Sequence, residues 1–351
     1  MLRSNVNICA CLVWAALALA ANAGLITVTD LGANFRPKAV NNSGMIVGQD
    51  TSTGTAALWQ NGTMTSLGTL GGSQSFANDI NDSGVVVGWS YDSAGKKKAF
   101  RWDAVNGMAN LGAGQTLEGA AEAVNNNGDI VGWRTNGTVT RSAQWTPGNP
   151  QWVTIFDSET VNHKSLGINE QGVIVGITLN SNGNLVDSFF YDGTLGTSNF
   201  TGIMATLYNP QAGVNNSLLT AGTNGDQAAY LTIGPNQVSN LDKLLPTDPT
   251  AAAYGLNDNG LIVGASGDKG FLFDSNLSQL YDANNFSRSG FSIDQIGKLT
   301  GMNNNGFYIG EGIVGGLTHG IAGNYAIPEP SSAALLMLAT VGLWQRRKRL
   351  S

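Results

Sequence analysis

Short apolar runs and polar turns alternate along most of the chain. The run Ala77-Asn78-Asp79-Ile80-Asn81-Asp82-Ser83-Gly84-Val85-Val86-Val87-Gly88 shows the unit. A short apolar segment ends in Asn, two polar residues and a Gly follow, and a β-branched run closes on a second Gly. Short β-branched stretches on either side of such a turn predict a β-hairpin. The core Asn recurs at Asn41, Asn81, Asn125, Asn169, Asn215, Asn257 and Asn303, with spacings of 40, 44, 44, 46, 42 and 46. Seven copies at that period suit the four-stranded blades of a β-propeller.

The local chemistry repeats as well. The residue before the Asn is apolar in every copy: Val40, Ile80, Val124, Ile168, Val214, Leu256 and Met302. The Asn side chain can cap the turn by accepting a backbone N–H two residues on. Gly44, Gly84, Gly128, Gly172, Gly260 and Gly306 supply the left-handed position of the turn. The fifth copy has Leu218 there, which predicts a looser or differently built turn. The closing Gly (Gly48, Gly88, Gly132, Gly176, Gly222, Gly264 and Gly310) marks a bulge or a close backbone approach.

A second strand pair follows each hairpin. Its most regular position is Trp59, Trp102, Trp145, Tyr191, Leu231, Phe273 and Ala322, a slot suited to packing between neighbouring sheets. A fourth strand follows in several copies, at 64–67, 108–111, 152–155, 238–241 and 277–280. The last copy lacks one. Leu25-Ile26-Thr27-Val28-Thr29-Asp30-Leu31-Gly32 is similar to Met64-Thr65-Ser66-Leu67-Gly68 and precedes the first Asn hairpin. The N-terminal strand can therefore complete the last blade and close the ring, which removes exposed sheet edges. The expected fold is all-β: a seven-bladed propeller of four-stranded blades over residues 24–327.

The two ends predict an address. Residues 1–23 have the form of a secretory signal peptide, with Arg3, an apolar stretch from Ile8 to Ala21, and an Ala21-Asn22-Ala23 cleavage site. Both cysteines, Cys9 and Cys11, fall inside it, so the mature chain has no thiol for a disulfide, a metal or catalysis. At the other end, residues 328–351 hold Pro328-Glu329-Pro330, an uncharged segment from Ser331 to Trp344, and the basic cluster Arg346, Arg347, Lys348 and Arg349. The segment predicts a C-terminal transmembrane helix of about 21 Å, shorter than the ~30 Å hydrocarbon core. The basic cluster places the tail in the cytoplasm. Motif, helix and basic end, in that order, resemble the PEP-CTERM sorting signal. That resemblance implies recognition by an exosortase, transient residence in the inner membrane, and export to the cell surface or exopolysaccharide matrix.

Charge narrows the partners. Setting aside Arg3, the four basic tail residues and Glu329 leaves 13 basic and 23 acidic residues in 24–327, a net formal charge of −10. So acidic a surface argues against nucleic acid or an anionic membrane as partner. Lys96-Lys97-Lys98 is the one basic run, and it reads as a solvated hairpin tip.

Candidate chemistry is sparse. His163 and His319 have no metal-ligand spacing, and the acidic turns lack a calcium ligand set, so no metal or cofactor is expected. His319 reads as a satisfied structural histidine. An enzyme acting on polysaccharide would need paired carboxylates on one face. Two residues before the apolar neighbour of each Asn, on the strand nearest the axis, stand Lys38, Asn78, Glu122, Leu166, Ala212, Tyr254 and Thr300. Glu122 is the most plausible acid among them, though isolated polar residues at a channel are a slim basis for catalysis, and no catalytic residue is assigned. Trp89 and Trp133 share the position after the closing Gly, where other copies have Gln49, Ile177, Thr223, Ala265 and Glu311. They are the candidate glycan-binding residues; filling gaps between blades is the competing role.

The run from Ala57 to Ser73, with Leu67-Gly68-Thr69-Leu70-Gly71-Gly72, followed by Ala77 to Gly88, resembles the extracellular HAF repeat. The resemblance is close for the second copy, good for the third, and loosens over 177–250. It implies a surface address and brings no catalytic residues. Together these features predict an exported, surface-sorted, non-catalytic protein, a binding or scaffolding component of the envelope or exopolysaccharide matrix. Its implied partners are the exosortase and secretion machinery and extracellular polysaccharide. The alternatives are a polysaccharide-acting propeller enzyme and a structural adhesive protein without a defined ligand.

Overall fold

The computed structural model describes residues 25–326 except 113–115, 148, 156–160, 193–195, 200–212, 225, 234–236 and 242. The expected signal peptide with Ala21 and Ala23, and the expected sorting signal and transmembrane helix at 328–351, lie outside the described residues.

Each Asn hairpin opens an antiparallel sheet whose strands follow one another in chain order. Blade 1 is Phe35–Val40, Ile46–Asp50, Thr55–Gln60 and Thr63–Gly68. Blade 2 is Gly71–Ile80, Val86–Asp92, Lys97–Asp103 and Gly107–Asn110. Blade 3 is Glu118–Val124, Ile130–Thr135, Thr140–Thr146 and Asn149–Thr154. Blade 4 is Asn162–Ile168, Ile174–Leu179, Leu185–Asp192 and Gly196–Asn199. In blade 5 the described strands are Leu219–Asn224, Gln227–Thr232 and Gln237–Asn240, with Val214 bridged to Thr220 on the inner side. Blade 6 is Ala251–Leu256, Leu261–Ser266, Lys269–Asp274 and Gln279–Asp282. Blade 7 is Gln295–Met302, Phe307–Val314 and Leu317–Ala326, completed by Leu25–Gly32 from the N-terminus.

The N-terminal strand runs antiparallel to Leu317–Ala326, with Ile26 opposite Tyr325 and Asp30 opposite Ile321. Ile26 and Val28 are buried, Tyr308 Oη donates to Thr27 O at 2.7 Å, and His319 Nδ1 lies 2.9 Å from Asp30 Oδ1. His319 is thus a structural histidine on the closing seam. Blade 7 departs from the four-strand pattern: Ser287–Gly290 adds a fifth strand, parallel to Leu25–Gly32.

Hydrophobic burial follows the repeat. Each of the seven junctions between adjacent blades holds a cluster of buried apolar side chains. The slot read from the sequence as a between-sheet packer sits in six of them. Trp59 and Ala322 pack with Ile46 and Ile309 where blade 7 meets blade 1, and Trp102 packs with Val47 and Val86 between blades 1 and 2.

The Asn does more than cap its turn. Its Oδ1 accepts the backbone N–H four residues on, from Met45, Val85, Asp129, Val173, Leu219, Leu261 and Phe307. In five copies it also accepts the N–H two residues on, as at Ser43 and Gln171. Its Nδ2 then reaches the next blade. Asn41 donates to Asn81 O (3.0 Å), Asn81 to Asn125 O (3.0 Å), Asn125 to Asn169 O (3.1 Å) and Asn169 to Asn215 O (3.1 Å). Asn215 donates to Asn257 O (2.9 Å), Asn257 to Asn303 O (3.0 Å) and Asn303 back to Asn41 O (2.9 Å). All seven side chains are buried, so the ring satisfies polar groups that water does not reach. The following residue makes a second closed ring, in which the backbone N–H of each copy donates to a side-chain oxygen of the next. Its members are Asn42, Asp82, Asn126, Glu170, Asn216, Asp258 and Asn304.

The fifth turn corrects the sequence reading. Leu218 takes the left-handed conformation (φ 61°) of the glycines it replaces, and Leu218 N donates to Asn215 O at 3.1 Å as in the other copies. The three side-chain contacts of Asn215 and the packing of Leu218 against Val214 and Leu231 hold the turn against a strain of about 1–2 kcal/mol.

Asn303→Ala should destabilise the propeller by about 3 kcal/mol or more, because it strands buried partners on two blades. Asn303→Asp keeps the turn contacts and removes the donor, so denaturant unfolding should still show a loss above about 2 kcal/mol; an Asp variant as stable as wild type would mean that the Asn is a turn cap only. Removing residues 24–32 should lower the melting temperature sharply, and an unchanged melt would contradict closure by the N-terminal strand.

Candidate functional site

On the first strand of six blades, all but blade 5 where that strand lies outside the described residues, the ladder skips a residue before the Asn turn. Pro37 pairs with Gly48 and Ala39 with Val47, so Lys38 is unpaired. The same bulge isolates Asn78, Glu122, Leu166, Tyr254 and Thr300. Ala212 lies outside the described residues. A bulge re-aims the side chain it carries, and all six line one central cavity of about 760 Å³. The closing Gly is the other half of the device. A Cβ on Gly48, Gly88 or Gly132 would lie 2.0–2.1 Å from the carbonyl oxygen of Arg36, Phe76 or Ala120, so only Gly fits opposite the bulge.

Two residues before each bulge the side chain points the same way. That position is Arg36, Phe76, Ala120, Lys164, Ala252 and Lys298 in the described copies. Each pairs with the residue after the closing Gly: Arg36 with Gln49, Phe76 with Trp89, Ala120 with Trp133, Lys164 with Ile177, Ala252 with Ala265 and Lys298 with Glu311. Trp89 and Trp133 therefore belong to the cavity wall.

The wall is crowded with specific contacts. Glu122 accepts from Trp133 Nε1 at 2.8 Å and from Asn78 Nδ2 at 3.2 Å. Lys164 lies over the Trp133 ring (4.6 Å), Lys97 over Trp89 (4.1 Å) and Lys298 over Tyr254 (4.2 Å). Phe76 stacks parallel to Trp89 at 6.4 Å. Arg36 pairs with Glu311 at 3.4 Å. Asp79 accepts from its own neighbour Ile80 N and, across the blade junction, from Val124 N, both at 2.9 Å.

Burial disturbs the charges. Loss of water raises Asp79 to about 6, against the pull of its two N–H donors and Lys38. It also raises Glu122, opposed by the Trp133 hydrogen bond and by Lys38, Lys164 and Lys97. Lys38 and Lys164 are pushed down by the same loss of water, with the Glu122 charge opposing it in both.

Toward the Asn ring the cavity ends at a collar of the apolar residues that precede each Asn; Val40 and Met302 line it from both sides. Beyond lies a smaller recess of about 200 Å³ edged by the second polar ring.

The reading of 96–98 as a solvated hairpin tip holds for Lys96 only, which is exposed and pairs with Glu118 at 3.1 Å. Lys97 and Lys98 belong to Lys97–Asp103, and Lys98 is buried with Nζ 2.9 Å from Leu117 O. Glu122 is not isolated, as the sequence suggested, because the bulge in blade 2 brings Asn78 to it. Sequence reasoning passed over Arg36, Phe76, Asp79, Lys97, Lys164, Lys298 and Glu311. For Arg36, Phe76, Lys164 and Lys298 the signal was present, since each stands two residues before a bulge.

No protein-family model matches the chain, and no curated protein sequence matches it. Solved structures do resemble it. The oligogalacturonate lyase of Vibrio parahaemolyticus aligns at 9% identity over 85% of this chain and 93% of its own, with TM-score 0.53. YCF48 bound to D1 peptide aligns at 12% identity over 85% and 96%, with TM-score 0.54. A prolyl endopeptidase aligns at 10% identity over 82% of this chain and 44% of its own, with TM-score 0.51. At these identities the likeness is one of fold.

A carboxyl group with its folded pKa raised favours the native state below its unfolded value, and that contribution is lost as pH rises through the folded value. Melting temperatures of wild type and Asp79→Asn should therefore diverge in favour of the variant between about pH 4 and 6.5; a difference that does not change with pH would contradict the assignment.

Proposed function

We propose that the chain is exported and surface-sorted, and that its propeller is a non-catalytic binding module for extracellular polysaccharide in the envelope or matrix. The observation that carries this reading is the cavity wall. Its aromatic and charged members, among them Trp89, Trp133, Tyr254, Lys38 and Lys164, stand at positions where the blades differ from one another. The repeated residues build the ring, so residues that break the repeat at the cavity are the ones free to serve a ligand. The cavity is of a size that takes a small ligand, and rings with nearby polar groups suit sugar. The sorting signals at 1–23 and 328–351 supply the address, with the exosortase and secretion machinery as partners and the inner membrane as a transient station.

A second reading is a polysaccharide-acting enzyme. Glu122 and Asp79 share the cavity, and burial raises both, Asp79 to about 6, so the pair has the carboxyl chemistry of a general acid. The propeller likeness is neutral here, since it includes a lyase and a peptide-bound protein.

Purified residues 24–327 should bind a glycan and leave it intact, and Trp133→Ala should weaken binding about tenfold or more. Product formation that stops in Glu122→Gln would replace the binding module with the enzyme. Folded protein that binds nothing would favour a structural adhesive. In cells with a working exosortase, retention of the intact tail would contradict the sorting.

A further inference from the structure

We infer that the ligand of the central cavity is an anionic saccharide, its acidic groups met by Lys38, Lys164 and Lys298; this rests on the polysaccharide-binding reading above. The inference comes from counting which hydrogen-bonding capacity the cavity leaves unused. Its carboxylates are already served. Glu122 holds Trp133 Nε1 on one oxygen and Asn78 Nδ2 on the other. Asp79 holds a backbone N–H on each oxygen. Glu311 is paired with Arg36.

The lysines are not served. Among the described residues, Lys38, Lys164 and Lys298 donate no side-chain hydrogen bond and have no ion-pair partner, yet all three line the cavity. An ammonium group carries three donors and no acceptor, so the unmet demand of the wall is for acceptors. Lys164 and Lys298 are also held in place, each resting on an aromatic ring of the preceding blade, Trp133 and Tyr254. Lys298 and Lys38 stand on the adjacent blades 7 and 1, and Lys164 on blade 4, so the donors face the cavity from two sides.

The distribution of charge agrees. The propeller carries few basic residues for its acidic ones, and Arg36, Lys38, Lys164 and Lys298 gather on this one wall, with Lys97 beside Trp89. An acidic surface elsewhere keeps polyanions from binding nonspecifically and leaves this cavity as the place that accepts one. The rings set the remaining chemistry. Three aromatic–lysine pairs present apolar faces beside donors, which matches a sugar ring bearing carboxylates better than a free inorganic anion.

The test is calorimetric binding by residues 24–327 of a tetramer of 1,4-linked galacturonate and of the same tetramer after carboxyl reduction. The acidic tetramer should bind at least about tenfold tighter than the neutral one. Lys164→Met, which keeps the stem on Trp133, should remove most of that preference by weakening the acidic tetramer at least about fivefold more than the neutral one. Lys298→Met serves the same purpose from the opposite side, and melting temperatures establish that each variant is folded. Equal binding of both tetramers, unaffected by either lysine variant, would overturn the anionic ligand and leave the polysaccharide-binding reading in place. Folded protein that binds neither tetramer would overturn the anionic ligand; a neutral-glycan panel run beside it then decides whether the wider reading falls as well.

Discussion

Every blade of this propeller hangs on one asparagine. Its carbonyl-type oxygen holds its own turn, and its amide nitrogen holds the carbonyl of the next turn, seven times around a closed circle. Few side chains can do both at once. Asp has the acceptor without the donor, Ser is too short to span the junction, and Gln would carry its amide one methylene too far. The ring also bears on how residues 25–326, which contain no cysteine, hold together without disulfides. Apolar clusters at the junctions supply bulk stabilisation, whereas the Asn contacts specify how each blade is placed against the next, because a misplaced blade would bury unpaired amides and carbonyls.

The second device is the bulge opposite the closing glycine. It costs one ladder position per blade and gains one side chain aimed at the axis. Because the glycine is demanded by the bulge and the bulge residue itself is not constrained by pairing, the scaffold can stay fixed while the cavity wall varies. Lys38, Asn78, Glu122, Leu166, Tyr254 and Thr300 occupy equivalent places and share no chemistry. The position after the bulge is narrower. Gly167 approaches Gly213, and Gly255 approaches Gly301, so closely that a Cβ would collide with backbone. Blades 1 and 3 have Ala39 and Ala123 there, and blade 2 has Asp79, which spends both oxygens on backbone donors.

Much of this was legible from residue order. The Asn period gave the number of blades, the between-sheet slot at Trp59 and its equivalents gave the packing, and the missing last strand gave the closure by Leu25–Gly32. The role of the Asn amide was not legible, since a turn cap needs only the oxygen and one copy alone cannot reveal a contact to the next. Leu218 was misjudged because propensity was weighed without the contacts that hold the turn. The cavity was half visible. The bulge residues could be aligned from the repeat, but Lys164 and Lys298 required the strand period to be carried two residues back, and Asp79 required knowledge of which blade lies beside it.

The coupling of blades through the asparagine ring can be measured directly by backbone hydrogen exchange in Asn303→Ala. Asn303 donates to Asn41 O, on a turn 262 residues away in sequence. If the ring couples the blades, exchange should rise in the blade 1 turn at residues 41–45 as well as in the altered turn at 303–307. A rise confined to 303–307, with 41–45 protected as in wild type, would contradict it.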